Sequence, residues 1–163
     1  MYRNKLSIID FIIHYKHTIF ATKKYIQLIP QRIMNATTKK EMKFLLNSQQ
    51  GEMDAVLLYK ALADKVNDAK DAETFRLLAA EEGHHAAIFK NITNQVLKPR
   101  KSLAILTLLL FKILGKRRLY NVIAKGEYAA YDKYKTIVEC YPEVESVMND
   151  EKRHGDMVMA LLK

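Results

Sequence analysis

Two Glu-x-x-His pairs constrain this chain more than any other feature: Glu82 with His85, and Glu151 with His154. The first lies within Ala79-Ala80-Glu81-Glu82-Gly83-His84-His85-Ala86-Ala87, an apolar and helix-favouring context. Three residues advance a helix by about 300°, so each Glu and His share a face, one turn apart. A single pair at this spacing is the ordinary signature of a solvated helix face. Here each pair follows an isolated glutamate on an earlier helical stretch, Glu52 and Glu127.

The surroundings of those two glutamates match. Gly51-Glu52-Met53-Asp54-Ala55 aligns with Gly126-Glu127-Tyr128-Ala129-Ala130, and Tyr59-Lys60 with Tyr134-Lys135, so Gly, Glu, Ala, Tyr and Lys recur at the same offsets. The pattern is a weak internal duplication: a helix with one Glu, a helix with Glu-x-x-His, then both again. Four helices that project this set inward make the carboxylate-bridged dimetal site of ferritin-like bundles. The expected fold is therefore all-α, a ferritin-like four-helix bundle.

Composition supports that class. A chain of 163 residues suits one domain with a substantial core. Five Gly and three Pro leave long stretches without a helix breaker. One cysteine, Cys140, excludes a disulfide framework and any Cys-x-x-Cys metal knuckle, and fits a reducing compartment such as the cytoplasm. The formal net charge of +9 is concentrated in two segments, +5 over residues 1–35 and +7 over residues 98–118, while the remainder is net acidic. Both basic segments lie outside the helices that carry the candidate ligands, so they concern a partner surface and not the chemistry. No nucleic-acid motif accompanies them, and aromatic residues are not interleaved with the basic runs, so a nucleic-acid partner is not expected.

Two units are expected in order, a basic amphipathic helix within residues 1–35 and the bundle over 36–163. Leu6, Ile9, Ile12, Ile13, Ile19, Phe20 and Ile26 follow helical spacing up to Pro30, a pattern that suits packing on a second subunit or on an anionic membrane surface. The bundle helices are predicted at about 39–66, 71–97 (stopped by Lys98-Pro99), 119–139 and 143–162. Residues 102–114 are the most apolar run and too short to span a bilayer, which takes about 20 residues. They are expected to form the long crossover between the second and third helices, with apolarity left over for a homodimer or membrane contact.

Carboxylate oxygen and imidazole nitrogen suit iron, and four carboxylates balance the charge of two divalent ions. Without metal, four crowded buried acids cannot all stay ionised, so some bind protons at raised pKa. Two ions about 3.5–4 Å apart can each supply one electron. In the expected arrangement Glu82 and Glu151 bridge two iron ions, Glu52 with His85 holds one side, and Glu127 with His154 the other. Tyr59 and Tyr134 each stand seven residues after a ligand, where they serve as hydrogen-bond partners, as electron relays, or as ordinary core tyrosines. Glu81 and His84 point about 100° off the ligand stripe and are expected at the surface. Spacing alone also admits the register Glu81-x-x-His84; the duplicated pattern and Ala86 favour Glu82 with His85.

At these residues the chain resembles the rubrerythrin family of the ferritin-like superfamily, and looks most like the rubrerythrin-type domain associated with vacuolar iron transporter-like proteins. The resemblance runs from about residue 39 to 162, through Gly51-Glu52, Tyr59-Lys60-Ala61-Leu62-Ala63, Glu82-x-x-His85-Ala86-x-x-Phe89-Lys90, Gly126-Glu127, Tyr134 and Asp150-Glu151-x-x-His154. It implies a non-haem diiron oxidoreductase that reduces hydrogen peroxide or dioxygen, oxidises ferrous iron, or delivers iron to a partner. Cys-x-x-Cys pairs are missing, so electrons would come from a separate donor protein. Ala130 stands where rubrerythrins proper carry a further carboxylate, which bears on peroxide selectivity. A membrane-associated diiron hydroxylase, similar to the demethoxyubiquinone hydroxylases, is the other enzyme class compatible with the ligand set.

Overall fold

The computed structural model describes residues 38–163, and the expected helix within residues 1–35 lies outside them. Four α-helices follow one another: α1 (Lys39–Lys65), α2 (Ala69–Thr93), α3 (Ser102–Lys135) and, after a 3-10 turn at Pro142–Val144, α4 (Glu145–Ala160). No strand occurs among the described residues. The packing is that of a ferritin-like bundle, in which α1 lies chiefly against α2, and α3 against α4, with α1 also on α3.

The first reversal is a tight turn closed by Asp68, whose carboxylate accepts from the backbone N–H groups of Lys70 and Asp71 at 2.9 and 3.0 Å. Those bonds satisfy donors left open at the start of α2. Helix α2 ends at Thr93, four residues before the end predicted at Leu97. The reason is Asn94, which adopts the left-handed conformation (φ 51°) and donates its N–H to the Lys90 carbonyl at 2.8 Å. The chain beyond it is held down by α1: Gln49 donates to the Gln95 carbonyl, Gln50 to the Lys98 carbonyl, and Asp54 accepts from both backbone and guanidinium of Arg100. A buried carboxylate is thereby matched by a cation, whose two guanidinium donors converge on Oδ2 while Oδ1 accepts the backbone N–H.

The apolar run 102–114 is the expected crossover. It is helical and continues into the third bundle helix across a break at Gly115, where φ is 72° and ψ is 172°. That conformation favours glycine, and it lets one segment serve as crossover and the next as bundle helix.

Apolar residues form two clusters. One joins Leu58, Leu62, Phe75, Leu78, Leu119, Ile123 and Val158; the other joins Leu45, Phe89, Tyr134, Val144 and Val147. Along every helix the candidate ligands fall between a residue of one cluster and a residue of the other. On α1 the order is Leu45, Glu52, Leu58; on α2 it is Leu78, Glu82, His85, Phe89. A polar layer is thus enclosed between two apolar plugs, which keep water away from it and strengthen its electrostatics.

Candidate metal centre

Glu52, Glu82, His85, Glu151 and His154 are buried, and Glu127 is half-buried. All six face one another in the polar layer. Ligand atoms of Glu82, His85, Glu151 and His154 lie within 4.8 Å of each other. The His85 Nδ1 is 3.7 Å from Glu82 Oε2 and 3.4 Å from Glu151 Oε1; the His154 Nδ1 is 3.0 Å from Glu82 Oε1 and 3.8 Å from Glu127 Oε2. Glu52 joins the group beside Glu82, whose charge helps to raise its pKa. The two imidazoles stack with ring centroids 5.4 Å apart. His84 is exposed, as the favoured register requires.

Both histidines aim Nδ1 inward, and each Nε2 meets a carboxylate of the opposite helix. His85 Nε2 is 3.2 Å from Asp150 Oδ2, and His154 Nε2 is 2.8 Å from Glu81 Oε2. Arg153 donates to both of these outer carboxylates, at 2.9 Å to Glu81 and 2.7 Å to Asp150. With a cation in place of the Nδ1 proton, such a carboxylate would fix the tautomer, because an Nε2–H donated outward leaves the Nδ1 lone pair facing inward. Here the sequence expectation for Glu81 is corrected. Its offset from the ligand stripe is real on α2, but α4 packs against that flank, so the side chain is partly buried and reaches His154.

The tyrosines cross in the same way. Tyr59 on α1 donates to Glu127 on α3, and Tyr134 on α3 donates to Glu52 on α1. Each holds the glutamate of the other half, and not the one seven residues before it on its own helix. Burial, followed by the facing carboxylate, pushes both phenol pKa values well up, so the hydroxyls stay protonated as donors.

Protons are distributed as crowding of acids demands. Burial, reinforced by the charges of Glu82 and Glu151, raises the Glu52 pKa well above the carboxylate range. Burial and the Glu82 charge raise Glu151 to about 8. Glu82 goes the other way: burial pushes it up, but the hydrogen bond with His154 and the neighbouring His85 imidazole outweigh that and hold it at about 2. For His85, burial is outweighed by the carboxylates of Glu151 and Glu82 beside it, and the pKa reaches about 11. His154 reaches about 10 for the same reason, through Glu127 and Glu82. A bound cation would take the place of these protons.

Whether the residues fit a metal is answered by two atoms. His85 Nδ1 and Glu151 Oε1 are buried, 3.4 Å apart, and have no hydrogen-bond partner. A buried polar atom without a hydrogen bond carries a desolvation penalty, which a cation shared by these two neighbouring atoms would relieve. Nitrogen and carboxylate oxygen together are a donor set for a first-row transition metal.

A bundle of helices with carboxylates and imidazoles enclosed at mid-length defines a ferritin-like protein with a metal-binding centre. The chain belongs to the rubrerythrin family, whose sequence pattern matches residues 43–162. That match is to the family as a whole and does not single out the transporter-associated domain. The chain is also similar to the magnesium-protoporphyrin IX monomethyl ester [oxidative] cyclase of Porphyra purpurea, with 31% identity over 145 aligned residues, 75% of this chain and 39% of that protein. It therefore spans about two fifths of that relative's length. No solved structure matches the sequence.

Proposed function

We propose that the protein is a non-haem diiron oxidoreductase of rubrerythrin type. Two iron ions are held by Glu52, Glu82, His85, Glu127, Glu151 and His154, and the substrate is hydrogen peroxide, or dioxygen together with ferrous iron. The observation that carries this reading is the pair of orphaned atoms, His85 Nδ1 and Glu151 Oε1, inside a buried set of two carboxylates and two imidazoles with Glu52 and Glu127 beside it. Iron in such a set supplies single electrons from each of two ions, which suits two-electron reduction of an oxidant. The protein's own residues do the rest. Tyr59 and Tyr134 orient Glu127 and Glu52, Glu81 and Asp150 orient the imidazoles, and the apolar clusters exclude water. The oxidative reaction in the name of the Porphyra relative supports an oxidising centre; its porphyrin substrate is not carried over. Electrons come from a separate donor protein or from ferrous iron itself.

The test is metal analysis of anaerobically purified protein, followed by stopped-flow mixing of the iron-loaded form with peroxide or dioxygen. Two iron per chain and rapid oxidation with turnover support an oxidoreductase. Iron binding without turnover under excess oxidant makes the protein a carrier, and absence of iron binding removes the proposal.

A further inference from the structure

The crossover helix takes no part in the metal centre, and it presents an unusual face. On its inner side Ala104 and Thr107 are buried, and Leu108, Leu110 and Phe111 pack against the core. On its outer side Leu103, Ile105, Leu106, Leu109 and Ile113 are between 38 and 66% exposed. Ile105, Leu106, Leu109 and Ile113 sit at offsets of one, four and eight residues, which places them on one stripe of the helix. The stripe is about 12 Å long at 1.5 Å per residue.

Cations stand at both ends of it. Lys98, Arg100 and Lys101 precede it, Lys112 lies within it just before Ile113, Lys116, Arg117 and Arg118 follow, all are exposed, and residues 98–118 contain no acid. Two of these cations also anchor the segment. Arg100 pairs with buried Asp54 at 2.7 Å, and Lys116 with buried Asp71 at 2.8 Å. The anchors fix which side of the crossover faces the bundle, so the apolar stripe is held outward. The other described residues carry 14 Lys or Arg against 17 Asp or Glu, so the positive charge belongs to this face and not to the bundle as a whole.

A second copy laid against the stripe would cover its apolar side chains but bring seven more cations to the same place. An anionic lipid surface covers the same side chains and supplies the opposite charge. We propose that residues 98–118 dock the protein on an anionic phospholipid bilayer, with the crossover helix lying in the plane of the interface. No helix of the described residues is long and apolar enough to cross a membrane, and this mode requires none. Ile105, Leu106, Leu109 and Ile113 enter the boundary between headgroups and acyl chains, while Lys98, Lys101, Lys112, Arg117 and Arg118 meet headgroup phosphates. The Gly115 break ends the apolar stripe, so Arg117 and Arg118 stay at headgroup level.

The test uses the full chain with sedimented vesicles, either pure phosphatidylcholine or a mixture with phosphatidylglycerol, at about 0.1 M salt. Partitioning is expected to be at least tenfold stronger on the anionic vesicles. Leu109→Asp with Ile113→Asp should weaken it about tenfold or more, and Lys112→Glu with Arg117→Glu by at least about fivefold per charge. Unchanged circular dichroism and iron content verify that these surface variants fold. Equal partitioning on both vesicle types overturns the proposal. So does undiminished binding by both double variants, which places any membrane contact elsewhere in the chain. Absence of vesicle binding together with a dimer that Leu109→Asp/Ile113→Asp dissociates also overturns it, and makes a second copy the occupant.

Discussion

In the first half of the molecule, α1 with α2, Glu52 is deeply buried and receives the Tyr134 hydroxyl. In the second half, α3 with α4, its counterpart Glu127 has 12% of its side chain exposed and receives the Tyr59 hydroxyl. The outer partners diverge further. His84 and Arg153 occupy equivalent places, each just before a candidate ligand histidine, yet His84 is exposed while Arg153 joins Glu81 to Asp150. Ala86 and Gly155 are likewise equivalent. Gly155 faces the Tyr128 ring, which an added Cβ would approach to 2.5 Å, so only the second half needs a bare backbone there. The two halves repeat their inward residues and differ in what supports them. One half is the closed side of the centre, and the other carries its clamp and its more open edge.

The largest effects belong where the halves are equivalent. Glu82→Ala and Glu151→Ala should each weaken iron binding more than about a hundredfold, because each strips a shared carboxylate from a buried polar set. Metal content after anaerobic loading measures this, and a large inequality between the two would break the equivalence. Next comes the clamp. Arg153→Met should weaken iron binding by about ten- to a hundredfold, the cost of loosening partners that orient ligands. His84→Ala should leave binding unchanged in the same assay. Equal effects would mean that Arg153 acts only as a surface charge.

Acidity gives the third effect. Glu151 titrates at about 8 and Glu52 lies above its ordinary range in the metal-free protein, so a cation must displace protons on binding. Both pKa values are raised, hence the competition strengthens as pH falls. Apparent affinity should drop about tenfold per pH unit for each proton displaced. The fall runs through the whole of pH 8 to 6, because His85 and His154, raised to about 11 and about 10, also hold protons there. Titration of iron at pH 6, 7 and 8 reads the slope directly. The smallest effect separates the tyrosines. Tyr134→Phe removes a donor from a fully enclosed carboxylate and should cost about 1–3 kcal/mol of metal-free stability. Tyr59→Phe should cost about 1 kcal/mol or less, because solvent reaches Glu127. Urea unfolding of the two variants compares them.

Much of this centre was legible in the sequence because its signal is periodic. Glu52, Glu82, His85, Glu127, Glu151 and His154 lie on inward stripes, and helical spacing together with the duplication finds them without coordinates. Glu81 and Asp150 were not found, since their contacts are made across helices and depend on which flank α2 and α4 turn toward each other. A signal was nonetheless present: an acid immediately precedes the ligand glutamate in both Glu-x-x-His motifs, as Glu81-Glu82 and Asp150-Glu151. The bundle's outline was equally readable, with the crossover at 102–114 placed correctly. The end of α2 was missed because apolar spacing continues past Asn94, whereas the chain obeys the left-handed cap and the side chains of Gln49, Gln50 and Asp54.

The hydrogen bonds that cross the centre bear on how such a protein could be taken apart. Tyr59 serves Glu127, Tyr134 serves Glu52, His85 leans on Asp150 and His154 on Glu81, so every one of these tethers joins opposite halves. Neither half carries the whole set of six side chains by itself. A chain severed between residues 94 and 101 would hold its pieces together through this wiring, and iron would act as the rivet whose removal lets them part.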